Sequence, residues 1–346
     1  MQNPRGLDTF GGFCYHRDMK EKSTISVSVC PTFWCNGRCP HCYLGSAVTR
    51  KGVITPSRLR DALFTIAEHR KLNGNVNLYG GEVTIIPRDT LAQYFDIIHG
   101  AVQKSRPLEV HTSINVSSNF TINLDTLRWM LGLTKDYDVL VGVSLNFERK
   151  LADGRLMDRV VADNLKTFDE DTRRRITAKV VVTPSVSDPI DVFEETNDLG
   201  LGGLHFLQYA DSTKATEHYS MTNKDYERFM IRAYKEYNEG DYTFELFQPW
   251  MQFLGNLTQS HVFVNPQGKF GLLDYDSLGV ETFRWFTKFE DWESEAQRLD
   301  SQLLDDNHCL TCQYFGQCVG EHLKYSMLTD SCSGLPLLTR FLKYKV

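Results

Sequence analysis

The sequence predicts an α/β fold: a parallel sheet covered by helices. Strand-like apolar runs alternate with amphipathic helical patterns over the first two-thirds of the chain. Six or so such strand–helix units follow one another, which fits an open or closed barrel better than two separate domains. After about residue 215 the alternation stops and a different, cysteine-bearing pattern begins.

The elements follow in order. "STISVSVC" (23–30) is rich in β-branched residues and reads as the first strand. "TPSRLRDALFTIAEHRK" reads as a helix with Thr55 as its cap, Pro56 in its first turn and Leu59, Leu63, Ile66 and Ala67 on one face. "NVNLYGGE" is a strand entering a glycine turn, and "PRDTLAQYFDIIHGAV" the next helix. "LEVHTSINVSS" and "YDVLVGVSLN" are further strands, followed by helical patterns near 123–132 and 156–169. "RITAKVVVTPS" and "GGLHFLQYA" complete the series.

Beyond it, "TNKDYERFMIRAYKEYNEG" is an amphipathic helix with Phe229, Met230, Ala233 and Tyr237 on one side. "HVFVNPQGKFGLLDY" is a hairpin turning on Asn265 to Gly268, and "FEDWESEAQRLDSQLL" a last helix before a cysteine-rich loop. Phe283, Trp285, Phe286, Phe289 and Trp292 read as core for a small domain, a peptide-binding wall being the sharper alternative. The expected organisation is an N-terminal segment (1–22), a barrel (23–215), a helical linker (216–260) and a C-terminal cysteine domain (261–346).

A net charge of −6 argues against general nucleic-acid binding, and "TRRR" (172–175) reads as the solvated end of a helix. No apolar run has membrane-spanning length and the start lacks a signal-peptide pattern, so no membrane partner and a cytoplasmic location are expected. In a reducing compartment nine cysteines point to metal binding or catalysis, and seven of them fall into two spaced groups.

The first group is "FWCNGRCPHCYLGS": Cys35, three residues, Cys39, two residues, Cys42. A tetrahedral zinc site wants four ligands, and His41, wedged between two cysteines, is poorly placed to supply the fourth. A [4Fe–4S] cluster takes thiolates, and three of them leave one iron open to a substrate or cofactor. This motif after a first strand resembles that of the radical S-adenosylmethionine (SAM) enzymes, which have a partial (β/α)6 barrel. The resemblance implies Cys35, Cys39 and Cys42 as cluster ligands, SAM chelated to the open iron, and reductive cleavage of SAM to a 5′-deoxyadenosyl radical that abstracts a substrate hydrogen. His41 falls where that family places an aromatic residue against the adenine.

Gly80-Gly81-Glu82 is similar to the family's "GGEP" turn, which contacts the SAM amino group; Val83 stands where proline is usual. "TSINVSSN" lies where the family's fourth strand offers polar groups to SAM, making Ser113, Asn115 and Ser118 candidates. "VSLN" resembles the fifth strand's "SLDG", adding Ser144 and Asn146. Ordinary strand-end capping is the plainer alternative for each.

The second group, "CLTCQYFGQCVGEH" with Cys332, supplies four thiolates: Cys309, Cys312, Cys318 and Cys332. Spacing alone fits zinc or iron–sulfur equally. It resembles the SPASM and twitch extensions of radical SAM enzymes, implying one auxiliary [4Fe–4S] cluster, two clusters in all. The second SPASM cluster is not expected, because its cysteines are missing around the 265–277 hairpin and after Cys318. Cys14 and Cys30 remain as candidate hydrogen-atom donors, a small buried hydrophobe being the plainer reading of Cys30.

The resemblance implies an oxidoreductase or maturase acting on a ribosomally made peptide by crosslinking, epimerisation or oxidation, with flavodoxin or ferredoxin as reductant. An N-terminal segment shorter than a leader-peptide-binding domain weakens the peptide reading. The alternatives are a radical epimerase or dehydrogenase acting on an aminosugar or nucleoside, and a non-catalytic iron–sulfur or zinc protein.

Overall fold

A computed structural model describes residues 23–40, 42, 44–106, 110–133, 135–145, 149–186, 188–208, 221–247, 258–273, 283–306 and 335–344. The predicted alternation is present. Strands β1 (Thr24–Val29), β2 (Lys71–Leu78), β3 (Thr112–Ser118), β4 (Tyr137–Ser144), β5 (Ile176–Val182) and β6 (Gly203–Gln208) pair in parallel and in sequence order. Helices α1 (Pro56–His69), α2 (Arg88–Ser105), α3 (Leu124–Leu131), α4 (Met157–Leu165), α5 (Glu170–Arg173) and α6 (Pro189–Asp198) occupy the connections. Sequential order without reversal is that of an unrolled (β/α) barrel, as distinct from a doubly wound sheet.

Local chemistry explains the boundaries. Thr55 caps α1, its side chain accepting the Arg58 N–H at 3.3 Å, and Pro56 fills a position where no N–H is needed. The α1 face of Leu59, Ala62, Leu63, Ile66 and Ala67 is buried against the sheet. Thr55→Ala is expected to lower stability by about 1 kcal/mol in urea unfolding, since one N-terminal donor loses its acceptor.

Along each strand, alternate residues face the helices. Ile25, Val27 and Val29, then Leu72, Val76 and Leu78, Ile114 and Val116, and Ile176, Ala178, Val180 and Val182 form one continuous core. The intervening residues are half-buried and, apart from Val181 of β5, polar on β2, β3 and β5, so the opposite face of the sheet is a mainly hydrophilic lumen.

Among the described residues the sheet has ten strands: β10 (Phe283–Phe286), β9 (Phe270–Leu273) and β8 (His261–Val264) precede β1 in spatial order, β2 to β6 follow it, and β7 (Glu245–Leu246) comes last. After α7 (Asn223–Glu239), β7 (Glu245–Leu246) extends one edge beside β6. At the other edge β8 (His261–Val264) runs parallel to β1, and β9 (Phe270–Leu273) and β10 (Phe283–Phe286) follow antiparallel. The predicted hairpin is therefore present: Asn265 Oδ1 accepts the N–H groups of Gln267 and Lys269, and Gly268 turns at φ +74°. Its first strand belongs to the barrel sheet, so β1 is an interior strand.

Helix α8 (Phe289–Asp306) covers the hairpin with Phe289 and Trp292 fully buried, the indole donating to the Gly271 carbonyl at 2.9 Å. Phe283, Trp285 and Phe286 are only half-buried, so the aromatic group divides between core and surface. Arg70 at the end of α1 pairs with Glu293 at 2.5 Å, fastening α8 to the barrel. Helix α9 (Pro336–Tyr344) begins where the Glu227 carboxylate of α7 accepts the Leu337 and Leu338 N–H groups. None of the described helices is long and apolar enough to cross a membrane.

Candidate active site

The loop after β1 carries Cys35, Cys39 and Cys42, and hydrogen bonds from three neighbouring strand ends hold it in place. The turn after β2 is one clamp. The N–H of Gly81 donates to the Thr32 carbonyl at 2.8 Å, and that of Glu82 to the Trp34 carbonyl at 2.8 Å. The approach is too close for side chains. A Cβ at Gly81 would stand 2.1 Å from the Trp34 oxygen, and one at Gly80 (φ +148°) 2.1 Å from Cys30 Sγ. The two glycines thus serve first to seat the cysteine loop.

Glu82 is the second clamp. Its buried carboxylate accepts from the Thr84 N–H (3.0 Å), the Thr84 hydroxyl (2.8 Å), the Ser118 hydroxyl (2.8 Å) and the Asn119 N–H (2.8 Å). Burial pushes this carboxyl up from its ordinary value, and the four donors pull it back. The side chain locks the end of β2 to the end of β3, leaving little of it for a ligand's ammonium.

Asn119, not singled out from sequence, closes the ring. Its amide donates to Asn36 Oδ1 at 2.8 Å and points at Cys35 Sγ at 3.5 Å, while the Gly37 N–H reaches the same sulfur at 3.2 Å. The segment after β4 supplies the fourth wall: Arg38 N–H donates to the Lys150 carbonyl and Ala152 N–H to that of Asn36. Buried Arg149 bonds the Ser144 carbonyl, pairs with Asp158 at 3.1 Å and hydrogen-bonds Cys39.

Burial pushes the thiols of Cys35 and Cys39 each up to about 11 and raises that of Cys42. For Cys39 the Arg149 charge works against that rise. Holding three such thiols as thiolates therefore calls for a positive centre among them. Among the described residues no three His, Cys, Asp or Glu side chains close around a single ion. The sulfurs of Cys35 and Cys39 instead flank Gly37, where a Cβ would lie 3.4 and 3.7 Å from them. Soft thiolate donors spread around one loop, with N–H groups aimed at sulfur, are a donor set that suits an iron–sulfur cluster.

The other candidates divide. Ser118 is committed to Glu82, and its oxygen also accepts the Phe120 N–H at 3.0 Å. Ser113 and Asn115 are half-buried on the lumen face of β3, and Ser144 ends β4 beside Arg149. "TSINVSS" is the third strand and "VS" ends the fourth, so neither occupies the fourth- and fifth-strand positions that the resemblance assigned to them. Cys30 is buried beneath Gly80, its thiol donating to the Thr32 carbonyl at 3.3 Å, which is the setting of a packed small hydrophobe; burial pushes it up to about 12. His41, Asn146, Cys14, Cys309, Cys312, Cys318 and Cys332 lie outside the described residues. Trp285 of β10 packs against the cysteine loop, its ring centroid 6.4 Å from that of Phe33.

A sequential parallel sheet with a three-thiol loop at its carboxyl edge is the architecture that the resemblance to radical SAM enzymes implies, and solved AdoMet-bound structures share this fold. The particular structures it resembles agree over most of the chain. A structure of native anSMEcpe with bound AdoMet and the Cp18Cys peptide matches with a TM-score of 0.65 at 16% identity, over 93% of this chain and 96% of that one. Streptococcus suis SuiB bound to S-adenosylmethionine matches at 0.61 and 15%, over 86% and 73%, and SuiB bound to precursor peptide SuiA at 0.59 and 16%, over 86% and 72%. No protein-family model and no curated protein matches the sequence.

Proposed function

We propose that this chain is a radical SAM enzyme that abstracts a hydrogen atom from a ribosomally made peptide. The observation that carries the reading is the clamped loop of Cys35, Cys39 and Cys42 at the carboxyl ends of four adjacent parallel strands. When bound there, a [4Fe–4S] cluster supplies the electron that splits SAM into methionine and a 5′-deoxyadenosyl radical. The chain's own residues do the rest. Thr32, Trp34, Gly81, Glu82 and Asn119 fix the loop, while Asn119, Gly37 and Arg149 direct hydrogen bonds at its sulfurs. Ser113, Asn115 and Ser144 line the space beneath as candidates to orient SAM.

A peptide substrate is supported by the fold likeness to anSMEcpe and SuiB, each of which has been captured with a peptide. The half-buried Trp285 beside the cysteine loop offers such a chain an apolar contact. An auxiliary cluster on Cys309, Cys312, Cys318 and Cys332, and a flavodoxin or ferredoxin as electron source, complete the proposal.

Anaerobic reconstitution followed by an iron count and a reductant-driven SAM cleavage assay tests it. Two cubane clusters predict about eight irons per chain and release of 5′-deoxyadenosine. A colourless protein that binds zinc and leaves SAM intact would overturn the reading.

A further inference from the structure

The lumen face of the sheet is lined mainly by neutral polar groups, among them Ser26, Asn75, Asn77, Ser113, Asn115 and Thr177. Lys179 of β5 and His205 of β6, partners in the strand register, bring basic nitrogens into it. A third, His261 of β8, is taken up by the Ser28 hydroxyl at 2.7 Å.

Lys179 is built into its position. Its Nζ donates to Ser117 Oγ at 2.7 Å, reaching across β4 to β3. The stem passes over Gly142, where a Cβ would stand 2.5 Å from Cε and 2.9 Å from Cδ. A side chain at 142 would push the lysine stem off that path. Ser117 is the only hydrogen-bond partner of the amine among the described residues, and no carboxylate there pairs with it. Burial lowers the amine to about 8, and it lowers His205 to about 4 with a smaller contribution from Lys179, so the imidazole beside the ammonium is neutral. A half-buried ammonium with no carboxylate partner among the described residues is stabilised when an anion reaches it. It also lies in the right place: Ser117 directly precedes Ser118, which holds Glu82 under the cysteine loop.

We propose that Lys179, with Ser117 and His205 beside it, is the subsite that binds a carboxylate of the substrate on the lumen floor beneath the cysteine loop. This rests on the reading of the strands' carboxyl ends as the active site. The competing possibility is that the lysine simply fills the lumen and bonds Ser117.

The test uses reconstituted holoenzyme carrying lysine labelled with carbon-13 at Cε, with the Lys179 resonance assigned by its loss in Lys179→Arg. Three small probes are titrated over the millimolar range: N-acetylaspartate amide presents a side-chain carboxylate, N-acetylglycine a chain-terminal one, and N-acetylglycinamide none. The expected result is a saturable shift of the Lys179 signal with one or both carboxylates and none with the neutral amide; the responding probe identifies the source. Saturation-transfer signals of the responding probe are expected to show binding weakened about tenfold or more in Lys179→Met and partly kept in Lys179→Arg. No saturable shift with either carboxylate, or an equal shift with the neutral amide, would overturn the proposal. If Lys179→Met fails to hold its cluster, the wild-type titration and Lys179→Arg decide alone. Binding of these probes needs no SAM cleavage, so this result and that of the cleavage assay are read separately.

Discussion

Cys35→Ala is expected to abolish 5′-deoxyadenosine formation and to lower the iron content from about eight to about four atoms per chain. The effect is large because Cys35 is held at several points in the loop. It receives the Gly37 N–H and the Asn119 amide, and its own N–H donates to the Val48 carbonyl at 3.0 Å. On the proposed assignment, removing its sulfur would leave two ligands for a cluster with one open iron. A fall in rate beyond a thousandfold corresponds to about 4 kcal/mol of lost barrier reduction. Cys30→Ala is the control: that thiol is packed beneath Gly80, so iron content is expected to stay at the wild-type level. Retained SAM cleavage in Cys35→Ala, measured by chromatography of the adenosine products, would show that the loop is not the catalytic centre.

Glu82→Ala carries the second large effect, on folding and activity together. The substitution strands four donors that the carboxylate now satisfies, three of them belonging to Thr84 and Ser118 side chains or backbone and one to Asn119. Unpaired buried donors cost about 1–3 kcal/mol each, relaxation recovers part of that, and a net loss of about 3–5 kcal/mol is expected. Glu82→Gln keeps the shape and one acceptor oxygen, and should lose about half as much. Urea unfolding of the two variants measures the difference. Equal stability of Glu82→Ala and wild type would remove the clamp from the account.

Much of this is legible in the sequence alone. The α1 cap is readable because Thr55 and Pro56 act through bonds within four residues. The Asn265–Gly268 hairpin is readable because its turn chemistry is equally local. The cysteine spacing is likewise a feature of one short loop. What escapes is set by residues meeting across the barrel. Asn119 looks like any strand-end asparagine until its amide is found between Asn36 and Cys35, more than eighty positions away. Nothing in the sequence marks Arg149 and Asp158 as partners, yet the arginine is buried beside Cys39 and paired with that aspartate. Lys179 in "TAKVVV" carries no local sign of its role, because its bond to Ser117 crosses from β5 over β4 to β3. Glu82 is visible as a charge beside a glycine turn, but its four protein donors come partly from β3 and are not.

The seating of β8 against β1 bears on how the C-terminal cysteines can be studied. Ser28 meets a residue 233 positions away, His261, and the outer edge of β1 from Ser26 to Val29 depends on that late strand for its backbone partners. A shortened chain stopping before Thr258 would uncap the strand that leads into Cys35, presenting a bare edge to other molecules. Such a fragment is expected to precipitate, and its inactivity would reflect insolubility rather than interrupted electron flow. Single replacements at Cys309 or Cys312, which leave β8 in place, are the cleaner dissection.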